Sequence, residues 1–161
     1  MLRYNKLCVM PRRELKNGRQ VIEWLETLSQ AVTRPGELIL IGSGALLWHA
    51  HERGLQGDLP EASMDVDPIT DSDEIARLCY EAVIGSEFER EHGWHVNLMP
   101  DTVMTELPAG WRDRATVRQY GRITFIVPQP EDLLAPKLRR REPRDLKHYE
   151  WAKQIGLIRA P

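Results

Sequence analysis

Two short stretches of this 161-residue chain combine residue types that do chemistry. In SMDVDPIT, Asp65 and Asp67 are separated by a single valine; in ELILIGSGALLWHAHERG, an apolar run ends in Gly42-Ser43-Gly44. On a strand, residues i and i+2 project to one face, roughly 6–7 Å apart at Cα, so the two aspartates aim their carboxylates at one point. Pro68 biases Asp67 towards an extended backbone, which favours that geometry. Like charges that converge repel each other unless a cation lies between them. Mg²⁺ (or Mn²⁺) suits the pair, because a hard cation takes one or two carboxylates and lets substrate phosphates and water complete its shell. The competing reading is a charged pair facing solvent on an edge strand, where charge deters aggregation.

The Gly-Ser-Gly turn offers the complementary half. A glycine turn between a buried strand and a helix N-terminus lets phosphate oxygens approach backbone N–H groups, with the helix dipole assisting. Ser43 adds a hydroxyl donor, and Gly44 keeps the turn free of side chain. No G-x-x-x-x-G-K-[ST] occurs in the chain, so a Walker A loop is excluded. A Rossmann fingerprint from Gly42 needs a glycine where Leu47 stands. What remains is a nucleoside triphosphate held at Gly42, Ser43 and Gly44, with its metal held by Asp65 and Asp67.

Elements that would position these groups follow from periodicity. Val21, Leu25, Leu28 and Val32 have helical spacing, predicting an amphipathic helix within Pro11 to Thr33, with Gly18 as its start or a break. Leu38 to Ile41 reads as a buried strand, Ala45 to Arg53 as a helix, and Met64 to Ile69 as a strand with two unlike faces. Ser72 is a good N-cap for a helix through Ile84. Trp94 to Met99 is a further strand candidate, Thr102 to Arg114 is ambiguous, and Val117 to Val127 reads as one or two strands with Gly121 as turn or bulge. Glu131 to Arg141 and Arg144 to Gly156 read as two helices separated by Glu142-Pro143. The expected fold is α+β (mixed α/β): one domain over 1–161, with an N-terminal helix in 1–36, a sheet core in 37–127 and C-terminal helices in 128–161.

Charge is unevenly distributed. Asp58 to Glu106 carries 13 acidic residues against two arginines, whereas Lys137 to the end carries 8 basic residues against 3 acidic. That suits an acidic wall for a cation facing a basic wall for an anion, or simply two solvated faces. Cys8 and Cys79 lack metal spacing, and His49 with His51 diverge on a helix, so no zinc site is expected. Trp94 and Trp111 are read as core packing, with base stacking as the alternative. Without an apolar span or signal-peptide core, the expected location is the cytoplasm, with no membrane partner.

Strand, Gly-Ser, helix, then a strand bearing Asp-x-Asp resembles the nucleotidyltransferase superfamily. VPQPEDLLAPKLRRREPRDLKHYEWAKQIGLI is similar to the closing segment of the minimal, toxin-like (AbiEii-type) bacterial members. The resemblance implies a nucleotidyltransferase-like fold and Mg²⁺-dependent transfer of a nucleoside monophosphate from an NTP to a hydroxyl. The implied acceptor is RNA or tRNA, and the implied partner is an antitoxin. It assigns Lys137 to the nucleotide and brings Asp145 to the site; pairing of Asp145 with Arg141 is the alternative. One of Arg139, Arg140 and Arg141 is expected to contact nucleotide or RNA, with Arg141 taken as the nucleotide contact. Two departures stand out: 21 residues separate Ser43 from Asp65, and the family's third carboxylate is replaced by Asn97, whose carbonyl is a neutral metal ligand at best. A binding or sensor protein of this fold that has lost catalysis is the second reading.

Overall fold

The structure, a computed structural model, describes residues 14–60 and 63–159. Cys8 and the Pro11 end of the first expected helix lie outside the described residues. Five strands, β1 (Gly36–Ile41), β2 (Asp65–Ile69), β3 (His95–Val96), β4 (Thr116–Tyr120) and β5 (Ile123–Val127), form one mixed sheet in the order β3-β2-β1-β5-β4. β1 lies at its centre, antiparallel to β2 and parallel to β5, and Leu38 to Ile41 are accordingly buried without alternation. The β4–β5 hairpin turns at Gly121, whose φ is +56°. The expected α+β architecture is therefore present, a mixed sheet flanked by helices.

Helix α1 (Gly18–Ala31) starts on a capping box: Asn17 Oδ1 accepts from the Gln20 backbone at 3.3 Å, and Gln20 Oε1 accepts from the Asn17 backbone at 3.2 Å. It buries Val21, Trp24, Leu25 and Leu28. Helix α2 (Gly42–Glu52) is buried continuously from Ser43 to Ala50, which requires close approach by its neighbours. A Cβ on Gly18 would lie 2.1 Å from the Leu47 carbonyl oxygen and 2.6 Å from His51 Cβ. Gly18→Ala is therefore expected to destabilise the fold by about 2–3 kcal/mol, read as a lower urea midpoint; an unchanged midpoint would show that α1 does not cross α2 here. His49 is buried, and burial drives its pKa down to about 4. Neutral at neutral pH, it donates from Nε2 to the Pro128 carbonyl at 2.7 Å and ties α2 to the end of β5.

Three expectations are corrected. Helix α3 (Asp73–Tyr80) is capped by Ser72 as expected, yet it stops well before Ile84. The Ala82 carbonyl accepts from the Val96 backbone at 2.8 Å, so β3 draws the chain out of its helical path. β3 itself ends at Val96 rather than Met99, because the ladder meets Pro68, which has no N–H to offer. A short helix α4 (Glu87–His92), absent from the sequence reading, runs between an N-cap at Ser86 and a left-handed C-cap at Gly93. The ambiguous stretch resolves into a 3₁₀ turn (Asp101–Glu106) and helix α5 (Trp111–Arg114). Trp94 and Trp111 are 2% and 9% exposed and belong to the core, which removes them as base-stacking platforms. Helices α6 (Pro130–Arg140) and α7 (Pro143–Gln154) each begin with proline at the first position, where the missing N–H costs nothing. Among the described residues no helix is long and apolar enough to cross a membrane.

Candidate functional site

The register of the central strands brings the two chemical motifs together. Ile41, the last residue of β1, pairs with Asp67 on β2, so the turn that follows Ile41 lies against the Asp67 side chain. Gly42 there has φ +77°, and a Cβ on it would stand 2.5 Å from Asp67 Oδ2. Only glycine admits both the left-handed backbone and the carboxylate beside it. Helix α2 begins at this residue; its N-cap, Ile41, provides no side-chain acceptor, and its first turn holds no acidic residue. The positive end of the helix is thus available to an anion. Ser43, 7% exposed, borders the same space.

That space is a cleft of about 370 Å³, within the range of small-ligand pockets (roughly 300–1,000 Å³). Gly42, Ser43, Asp65 and Asp67 line one side, and Lys137, Arg140, Arg144 and Asp145 from α6 and α7 line the other. Leu133 and Pro136 of α6 and Met99, Val103 and Leu107 around the 3₁₀ turn add apolar surface between them. The acidic and basic halves of the sequence therefore face each other across one cleft.

Asp67 is strongly perturbed. Burial, and next the charge of Asp65, push its carboxyl up from an ordinary 3.8 to about 7. Asn97 opposes this by donating from Nδ2 to Asp67 Oδ1 at 3.1 Å. A carboxylate only accepts, so the amide turns its NH₂ towards it. Asn97 thus meets Asp67 as a donor, not as the oxygen ligand expected from sequence, and it does not line the cleft. Two crowded, partly desolvated carboxylates with one neutral donor have an excess of negative charge and hard oxygen donors, which fits a divalent cation. Among the described residues no cluster of three or more His, Cys, Asp or Glu side chains could hold a metal. Two carboxylates plus substrate oxygens is the set that Mg²⁺ commonly uses. Behind Asp65, His95 Nε2 lies 4.0 Å from its Oδ2, and Glu89 Oε2 lies 2.8 Å from His95 Nδ1.

On the opposite wall Lys137 (8% exposed) and Asp145 (5%) form a buried pair, Nζ to Oδ1 3.2 Å. Burial lowers the Lys137 pKa, and Asp145 works against that fall. Burial likewise opposes ionisation of Asp145, but Lys137 and Arg140 prevail and hold its carboxyl below the usual range. The Asp145 partners are Lys137 and Arg140, the latter at 3.3 Å to both oxygens, and not Arg141. Arg141 is exposed at the left-handed end of α6, with φ +56°, and does not line the cleft; its place is taken by Arg140 and Arg144. Gly44 also serves packing rather than the cleft: a Cβ there would touch Val66 Cγ1 at 3.0 Å, so the glycine lets α2 settle on β2. The sequence reading named Arg140 among three candidate arginines but settled on Arg141, although the i,i+3 spacing of Arg140 from Lys137 predicts a shared helix face.

The family described as nucleotidyltransferase of unknown function (DUF6036) matches residues 16–159. No curated protein and no solved structure matches the chain.

Proposed function

The chain belongs to this nucleotidyltransferase family, and from that premise we propose that it moves a nucleoside monophosphate from an NTP to a hydroxyl of an RNA acceptor. In that reaction the hydroxyl oxygen bonds to the α-phosphorus and the bond to the α,β-bridging oxygen breaks. Pyrophosphate leaves with the electron pair, and the hydroxyl proton passes to solvent. The observation that carries the reading is the convergence of the Gly42-Ser43 turn and the Asp65–Asp67 pair on one cleft whose far wall is cationic. Backbone N–H groups at the start of α2 and the Ser43 hydroxyl bind phosphate oxygens. Lys137, a compact cation, balances triphosphate charge, and Asp145 holds that lysine together with Arg140. Asp65 and Asp67 hold Mg²⁺ or Mn²⁺, which when bound neutralises phosphate charge and lowers the pKa of the attacking hydroxyl. Positioning and charge balance account for most catalysis in such transfers.

For the acceptor, RNA (tRNA included) is supported by the exposed arginines of the α6–α7 corner, which are suited to a phosphate backbone. A toxin of the AbiEii type, held in check by an antitoxin protein, is supported by the similarity of the closing segment. One observation favours a second reading: Asn97, which the resemblance matches to the family's third acid, spends its amide on Asp67, as in a protein that binds nucleotide without turnover. The two part in one experiment. Wild-type protein, Mg²⁺ and total RNA are incubated with NTPs labelled at the α or at the γ phosphate. Label from the α position is expected in RNA, with release of pyrophosphate, and none from the γ position. Transfer of γ label would overturn the reaction class. Thermal stabilisation by NTP with no labelled product would favour the sensor.

A further inference from the structure

Three residues after Asp145, α7 carries a second buried polar side chain that the reaction as written does not use. His148 is fully buried, and its Nδ1 lies 3.2 Å from Lys137 Nζ, the same distance as Asp145 Oδ1. An ammonium only donates, so Nδ1 must accept, and the imidazole is the neutral tautomer with its proton on Nε2. Two of the three ammonium N–H groups are thereby engaged by α7, and the third remains for the cleft that Lys137 lines. We infer that His148 is a positioning residue: with Asp145 it forms a two-point cradle that fixes the Lys137 ammonium for a triphosphate. This inference rests on the reading of the cleft as an NTP site.

The choice of imidazole has a charge rationale. Lys137, Arg140 and Arg144 against Glu142 and Asp145 leave this wall with one net positive charge, available to phosphate. A carboxylate at 148 would cancel it, and an apolar side chain would leave the buried ammonium with one acceptor fewer. A neutral ring nitrogen holds the ammonium in place without spending its charge. The i,i+3 spacing of Asp145 and His148 brings both acceptors to the same face of α7.

The test pairs nucleotide binding with a direct look at the ring. By calorimetry with Mg²⁺ and a non-hydrolysable NTP, His148→Leu is expected to weaken triphosphate binding about tenfold or more. Its affinity for the matching NMP, which lacks the β and γ phosphates, should change little. His148→Gln, which keeps an acceptor, is expected to restore most of the loss. Equal losses for NTP and NMP, or no advantage of Gln over Leu, would reduce His148 to packing and overturn the cradle. Long-range ¹H–¹⁵N NMR of the wild-type protein is expected to find the Nε2–H tautomer, with an Nδ1 resonance that moves in Lys137→Met. An Nδ1–H tautomer or a charged ring would overturn the inference whether or not nucleotide binds. The expected tautomer in a protein that binds no NTP would leave the cradle standing and remove the proposed function instead.

Discussion

Asp67→Asn is expected to cut nucleotidyl transfer by roughly 10³-fold or more and, in the same protein, to make the metal-free fold more stable above pH 7. The first effect follows from removing one of the two carboxylates proposed to hold the cation; several kcal/mol of charge stabilisation would be lost, and about 4 kcal/mol corresponds to that factor. The second follows from the pKa of Asp67, which the fold raises from 3.8 to about 7 through burial and then Asp65. The folded chain therefore keeps a proton on Asp67 that the unfolded chain releases near pH 4. Wild-type stability is fullest below the unfolded value, falls as pH rises through that window, and is lowest once Asp67 ionises in the fold. At about 1.4 kcal/mol per pH unit the loss is bounded near 4 kcal/mol, and solvent in the cleft reduces it to about 2 kcal/mol. Asparagine carries no such cost and still accepts from Asn97. In calorimetric melts at pH 8 the variant should unfold about 4–8 °C higher than wild type, and the gap should close as pH falls towards 4. Mg²⁺ should raise the wild-type Tm at pH 8, much less at pH 6, and not at all in the variant. A variant no more stable than wild type at pH 8 would mean that burial and Asp65 do not hold the Asp67 carboxyl above its ordinary range.

Strain of this kind explains why the site was easier to read from sequence than some of the fold. Asp65 and Asp67 are local in the chain, and the period of two alone places them on one face. Gly42 announces itself because a β-strand running straight into a helix needs a special backbone. Non-local bonds are another matter. The end of α3 is set by β3, which claims the Ala82 carbonyl, and nothing between Ser72 and Ile84 records that. The short length of β3 is fixed by Pro68, a residue of the neighbouring strand. Helix α4 did leave marks, Ser86 before it and Gly93 after it, but its six residues have too few turns to reveal an apolar period.

Within the cleft the same division holds. The resemblance brought Lys137 and Asp145 to one site, but their buried ion pair is a finding of the structure, and the choice of Arg140 over Arg141 depends on where α6 ends. One residue further along, the backbone has already turned left-handed. Asn97 shows the limit most clearly. Its position beside the aspartates follows from pairing of β2 with β3, but whether its oxygen or its NH₂ faces Asp67 is decided by the carboxylate, not by the asparagine.

Gly42→Ala is the sharper test of how the turn and the carboxylate share space. Alanine at φ +77° has an unfavourable backbone by about 1–2 kcal/mol, a cost that any left-handed glycine would share. What is particular to Gly42 is the Asp67 oxygen 2.5 Å from the new Cβ. That collision cannot be relieved without rotating the carboxylate away or opening the turn, and either movement separates the backbone proposed to bind phosphate from the acids proposed to hold the metal. A displacement of about 1 Å in such an assembly costs on the order of 10²-fold in rate, so transfer is expected to fall by at least that much. Gly54→Ala supplies the reference: Gly54 has φ +65° and no atom within 4 Å of its Cβ position, so it bears the backbone cost alone. The two variants should lose comparable stability, whereas only Gly42→Ala should lose turnover and the Mg²⁺-dependent rise in Tm. Were Gly42→Ala to retain full activity, Asp67 and the start of α2 would not act on the same phosphate, and the cleft would have to be assigned to a different ligand.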